Sequence, residues 1–157
     1  MKIGIANDHV GYDLKILIIA HLDAAGHAVV DYGTGSTDRT DYPTWGRILG
    51  EAVSAGRVER GIAVCGSGVG ISIAANKVAG IRAVCCSEPY SAMVSRQHND
   101  TNVLAFGSRV VGEGMATMIV DAWLNAEYEG GRHDARIHQI AGIELSPASL
   151  GRDPSSE

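Results

Sequence analysis

Cys65 ends an apolar run, Gly61-Ile-Ala-Val-Cys65, and is followed at once by Gly66-Ser67-Gly68-Val69-Gly70. A thiol can serve as base or nucleophile. A strand-to-helix turn with glycine at alternate positions offers free backbone N–H groups and the positive end of a helix dipole to an anion. The same field favours the thiolate of Cys65, and Ser67 can donate a hydrogen bond to a developing oxyanion. Base and anion hole on one short turn suggest chemistry. The plainer readings are a core cysteine and a tight turn without a ligand.

Four further groups carry charge or protons. Asp8-His9 follows the first apolar run, although Asp8 would also cap a helix. His98-Asn99 lies at a helix end, where the dipole favours histidine in any case; the chemical reading is a proton shuttle, with Asn99 fixing a hydroxyl. Arg109 closes Gly107-Ser-Arg109. Arg132 and Arg136 are four residues apart, so on one helix they would share a face and close on a phosphate. A solvated face is the alternative for that pair, with Asp134 as a local neutraliser. Together these groups describe proton transfer on a small phosphorylated substrate.

The cysteines at 65, 85 and 86 show no metal-ligand spacing, and no cofactor motif is complete. Gly66, Gly68 and Gly70 form GxGxG, short of the dinucleotide fingerprint, and no Lys-Ser/Thr follows as in a phosphate-binding P-loop. Glu88, about twenty residues on, keeps a ribose-binding acid in view. Cys85 and Cys86 read as small buried hydrophobes on opposite faces of a strand.

These groups need a scaffold, and 157 residues suffice for one domain with its own core. The net charge of −5 argues against a general nucleic-acid surface. No apolar run approaches bilayer length, and the N-terminus turns polar too soon for a signal peptide. The cysteine usage suits a reducing cytoplasm. Strands are expected near Lys2–Ala6, Ala28–Asp31, Gly61–Cys65, Ile81–Cys86 and Asn102–Phe106. Helices are expected near Tyr12–Ala25, Thr44–Ala55, Gly70–Val78, Tyr90–His98, Gly112–Ala126 and Arg132–Ala141, with Gly26 and Gly56 as caps. The alternation gives an α/β class: a single Rossmann-like three-layer domain, with a five-stranded parallel sheet and helices on both faces. Residues 1–145 form the domain and Ser146–Glu157 a mobile tail. The polar groups should gather on one rim, at the carboxyl ends of the strands.

Seven segments carry a family resemblance: Asp8-His-Val-Gly11, Arg39-Thr-Asp-Tyr-Pro43, Cys65 through Lys77, Gly80-Ile-Arg-Ala83, His98 through Leu104, Gly107-Ser-Arg109 and Glu129-Gly-Gly-Arg-His133. In this order, across nearly the whole domain, they resemble the type B ribose-5-phosphate isomerases, which are grouped with galactose-6-phosphate isomerases. The resemblance implies metal-free aldose–ketose isomerisation through a cis-enediolate, without a cofactor, in pentose phosphate metabolism. It makes Cys65 the base, and assigns the enediolate oxygen to Ser67 and the backbone of Gly66, Gly68, Val69 and Gly70. It gives ring opening to His98, sugar hydroxyls to Asp8 and Asn99, the phosphate to His9, Arg109, Arg132 and Arg136, and the pocket wall to Tyr42. It also implies a homodimer, often paired into a tetramer, in which His98 and Asn99 reach the partner's Cys65.

Ser67 replaces a threonine common in the family but keeps the hydroxyl. Some relatives use a glutamate further along the loop in place of the cysteine; here Ile71-Ser-Ile-Ala-Ala75 is uncharged, which leaves the thiol as base. Other substrates in view are allose 6-phosphate, galactose 6-phosphate and a four-carbon sugar phosphate. A non-catalytic nucleotide- or phosphate-binding module is the alternative of another class.

Overall fold

The structure, a computed structural model, describes residues 1–144. Five parallel strands, β1 (Lys2–Asn7), β2 (Ala28–Asp31), β3 (Arg60–Cys65), β4 (Ala83–Cys85) and β5 (Val103–Gly107), lie in the order β2-β1-β3-β5-β4. The helices are α1 (Tyr12–Ala24), α2 (Tyr42–Ser54), α3 (Val69–Ala75), α4 (Pro89–Asn99), α5 (Glu113–Leu124) and α6 (Asp134–Glu144). Single 3₁₀ turns at His9–Gly11 and Gly131–His133 precede α1 and α6. This is the expected α/β class, and Gly26 and Gly56 lie just past α1 and α2 as expected.

Strand alternation sends large and small residues to different layers. Ile3, Ile5, Ile62, Val64, Leu104 and Phe106 meet Leu14 and Ile18 of α1 and Ile119 and Trp123 of α5. Ala63, Cys65, Val103 and Ala105 meet Leu49 and Val53 of α2 and Ile71 of α3. The smaller face lets α2 and α3 lie close. A Cβ on Gly46 would come within 2.6 Å of the Ile71 carbonyl oxygen. Cys65 is thereby carried on the α2–α3 side, 4% exposed.

The chain leaves β1 for β2 on one side and returns to β3 on the other. Such a reversal opens a crevice beyond the carboxyl ends of the two strands. Asn7-Asp8 and Cys65-Gly66 flank it, joined by a hydrogen bond from the Asp8 amide to the Val64 carbonyl at 3.2 Å.

Two expected elements change. The fourth strand is only Ala83–Cys85, because the Ile81 amide closes a turn onto the Val78 carbonyl at 3.1 Å instead of joining the sheet. The expected helix Arg132–Ala141 changes at its start: after positive φ at Gly130 and Gly131 (63° and 61°), Gly131–His133 form a 3₁₀ turn that runs directly into α6 at Asp134. Arg132 therefore sits in the 3₁₀ turn and Arg136 in α6. The expected tail, Ser146–Glu157, lies outside the described residues.

Gly33 supports the crevice from below. A Cβ there would stand 2.0 Å from Oδ1 and 2.5 Å from the backbone nitrogen of Asn7, which is fully buried. Gly33→Ala is therefore expected to destabilise the fold by about 3 kcal/mol. Thermal unfolding should report a fall in Tm of roughly 6–12 °C.

Candidate active site

One half of the candidate site occupies the β1–β3 crevice. A cleft of about 670 Å³ is lined by Asp8, Val10, Tyr42, Cys65, Gly66, Ser67, Val69, Gly70, Ile73, Arg109 and Val110. The Gly68 N–H donates to the Cys65 sulfur at 3.1 Å, a donor aimed at the atom that would carry charge. Gly68 can turn back on Cys65 because its φ is 80°, a conformation that L side chains rarely adopt. The loop is braced from β5: the Ser108 and Arg109 amides donate to the carbonyls of Cys65 (2.9 Å) and Gly66 (3.1 Å). Arg109 thus enters the cleft on a fixed backbone, and its guanidinium meets no carboxylate among the described residues. The Tyr42 ring lies over Gly70, whose missing side chain makes room for it; a Cβ there would be 2.6 Å from the ring.

Asp8 is the cap that its position predicts, and it also faces the cleft. One carboxylate oxygen caps the 3₁₀ turn, accepting from Val10 (2.9 Å) and Gly11 (3.1 Å), and the residue still lines the cleft. His9 stands one residue further, its Nδ1 against the backbone of Thr40, 3.1 Å from the carbonyl oxygen and 3.3 Å from the amide nitrogen.

The other half lies elsewhere. His98 and Asn99 end α4, which runs back from β4 and delivers the chain to the amino end of β5. Their neighbours confirm the position: the Asn102 carbonyl accepts from the Gly61 amide (2.9 Å), where β3 begins. A strand of five or six residues separates the two ends of the sheet, roughly 17–20 Å. The expected convergence on one rim is therefore corrected. A helix that returns from a parallel strand must end at the opposite edge.

At that edge His98 stacks on His133, with ring centroids 4.4 Å apart and planes within 8°. Arg132 donates from Nε to Nε2 of His133 at 3.3 Å, and Glu129 Oε2 lies 3.8 Å from Nε2 of each histidine. Burial pushes the His133 pKa down, assisted by His98 and Arg132 and opposed by Glu129. This favours the neutral ring, whose Nε2 lone pair accepts from Arg132. The three ligand atoms of His98, Glu129 and His133 lie within 4.8 Å of one another. A metal there would have to compete with Arg132 for one of the nitrogens.

The end of α4 is clamped. Asp100 adopts φ 45° and is the one non-glycine residue with positive φ among the described residues. Arg96 and Arg82 pair with its two carboxylate oxygens at 2.7 and 2.8 Å, and Arg82 Nε also donates to the Asn99 carbonyl at 3.0 Å. These bonds offset the backbone strain and fix where His98 and Asn99 project.

Neither His133 nor the Asp100 clamp was singled out from the sequence, although both lie in quoted motifs. Three other readings resolve. Glu88 is occupied as the α4 cap, accepting from Ser91 with both oxygens (2.9 and 3.1 Å), which removes the expected ribose acid. Asp134 accepts from the Tyr128 hydroxyl at 2.7 Å. Cys86 is buried as expected, and burial drives its pKa to about 12, whereas Cys85 is exposed beside the glycine loop at the edge of the sheet.

A family model described as Ribose/Galactose Isomerase matches residues 3–140. The chain is 64% identical over 143 residues to ribose-5-phosphate isomerase B of Escherichia coli, covering 91% of this chain and 96% of that one. Among solved structures it is similar to ribose-5-phosphate isomerase B of Clostridium thermocellum, with a TM-score of 0.91, 53% identity and 92% and 98% coverage of the two chains. It is also similar to ribose-5-phosphate isomerase B of Mycoplasma genitalium with bound ribulose-5-phosphate, with a TM-score of 0.88, 39% identity and 92% and 97% coverage.

Proposed function

Since the chain belongs to the ribose/galactose isomerase family, we propose that it interconverts ribose 5-phosphate and ribulose 5-phosphate by proton transfer at Cys65. The thiolate removes the proton from C2 of the open-chain aldose, leaving an enediolate. Ser67 and the N–H groups of Gly66–Gly70 face its oxygen, the hydroxyl proton passes from O2 to O1, and the carbon-bound proton is returned at C1. Asp8 and Asn99 hold hydroxyls, Tyr42 walls the cleft, and His9, Arg109, Arg132 and Arg136 take the phosphate. The observation behind the base assignment is the Gly68 N–H directed at the Cys65 sulfur from within a substrate-sized cleft. No cofactor or metal enters this scheme.

The placement of His98, Asn99, Arg132 and Arg136 at the far edge of the sheet supports a homodimer. In it the partner's copies of these residues complete the cleft, as the family resemblance implies. His98 from the partner then assists opening of the furanose ring. A dimer, or a tetramer made of two, operating in the cytoplasm is the corresponding setting.

Complementation tests this arrangement. Cys65→Ala and His98→Ala homodimers should each be impaired on ribose 5-phosphate. Coexpressed at equal levels, half the dimers are mixed and each mixed dimer has one intact site, so activity should return to about a quarter of wild type. Activity no higher than the mean of the two parents would show that both residues serve the same chain's site.

The same groups would serve a four- or six-carbon aldose phosphate; on the function proposed here, ribose 5-phosphate should lead a ranking of these by kcat/KM. The non-catalytic nucleotide module has no support in Glu88, which is spent on the helix cap.

A further inference from the structure

His133 is 6% exposed yet carries an imidazole with two distinct partners, the face of His98 and the guanidinium of Arg132. A buried polar ring costs desolvation, which only specific contacts offset. We infer that His133 is a positioning residue that sets His98 through ring stacking and Arg132 through its Nε2, linking ring opening to phosphate recognition. This rests on the ring-opening and phosphate roles proposed above for those two residues.

The geometry explains both halves of the role. His98 stands at the end of a helix with solvent on one side, and a parallel ring at 4.4 Å restricts its side-chain rotation to one plane. Arg132 leaves the 3₁₀ turn beside two positive-φ glycines, so its own backbone contributes little rigidity. The bond from its Nε to His133 orients the remaining guanidinium donors outward, where a phosphate would take them in pairs. Only the neutral ring can accept this bond. His98 on α4, Arg132 on the same turn and Arg136 on α6 all oppose a proton on His133, and Glu129 alone favours one. Glu129 is fixed to α4 by its amide, which donates to the Gln97 carbonyl at 3.0 Å, so it moves with His98.

Two substitutions separate the contacts. His133→Gln keeps an acceptor for Arg132 and removes the ring; His133→Phe keeps the ring and removes the acceptor. Ribulose 5-phosphate is open-chain, so exchange of its C1 proton with solvent needs Cys65 but no ring opening. For His133→Gln, isomerisation of ribose 5-phosphate should fall about tenfold while this exchange and KM stay within about twofold. For His133→Phe, KM should rise about fivefold to tenfold, with the ratio of isomerisation to exchange preserved.

Wild-type kinetics in both variants would overturn the inference, as would equal losses of the same parameters in both. Should His133→Phe fail to fold, an unchanged ratio of isomerisation to exchange in His133→Gln would overturn it alone. His98→Ala and Arg132→Ala run in parallel locate a failure. If they leave ring opening and KM untouched, the roles proposed for His98 and Arg132 fall. If they alter them while the His133 variants do not, only the positioning role falls.

Discussion

Cys65→Ala is expected to lower kcat for ribose 5-phosphate about 10³-fold, within the range lost when a general base is removed, while KM stays within about threefold. The split follows from what the sulfur touches. Cys65 is the proposed base that the β3 turn brings into the cleft, and its sulfur accepts from the Gly68 N–H, not from any of the proposed phosphate ligands. The fold should survive the change. The sulfur packs with Ala63, Ala105 and Ile71 in the smaller-residue layer, and its loss leaves a void of about one heavy atom, costing about 1 kcal/mol. Steady-state kinetics with a thermal melt of the same sample therefore separates lost chemistry from lost structure.

Gly68→Ala is expected to combine both kinds of loss. The added Cβ would lie 2.7 Å from the Phe106 backbone and 2.9 Å from the Cys85 sulfur, at a φ of 80° that alanine resists. Backbone contacts cannot yield as a side chain end can, so the loop must shift and carry the Gly68 N–H away from Cys65. We expect kcat to fall about 10²-fold, as when one oxyanion donor is lost, and stability to fall by about 2–4 kcal/mol. Gly66→Ala provides the contrast. Its Cβ would meet nothing closer than Val10 at 3.6 Å, so its melting curve should stay near wild type, within about 0.5 kcal/mol. Equal destabilisation by the two substitutions would remove the steric explanation.

The β3 turn was legible in the sequence because three local signals coincide there: an apolar run, a terminal cysteine and alternate glycines. The class of sheet and helices followed from the alternation of short and long apolar segments. The placement of His98 and Asn99 on the other rim did not follow from spacing; only the family resemblance implied it. His98 sits in a motif as distinct as that of Cys65, but the rim it occupies depends on the direction of α4, and the motif is blind to direction. Topology could have supplied it, since a helix returning from a parallel strand ends at the amino edge. His133 was hidden for another reason. On a helix with Arg132 and Arg136 it would read as a surface residue; in the structure it ends the 3₁₀ turn that follows Gly130 and its ring stacks on His98. The exposure of Cys85 likewise depends on β4 being a three-residue edge strand, a boundary set by the Ile81 turn.

The phosphate assignment divides in the same way. Arg109 belongs to the cleft of its own chain, whereas Arg132 and Arg136 stand at the opposite edge, on a turn and a helix respectively. A phosphate gripped from both sides would make substrate affinity depend on the dimer as much as the ring-opening step does. The proposed base and anion hole, by contrast, lie within one chain.

The central claim is that Cys65 itself moves the proton, and isotope uptake tests it most directly. Ribulose 5-phosphate incubated with the protein in deuterium oxide should gain one deuterium at C1, read by proton NMR as loss of one of the two C1 proton signals. The Cys65→Ala protein, folded by its melting curve, should show no uptake above the uncatalysed background. Deuterium uptake by that variant at the wild-type rate would contradict the account and place the base on another residue.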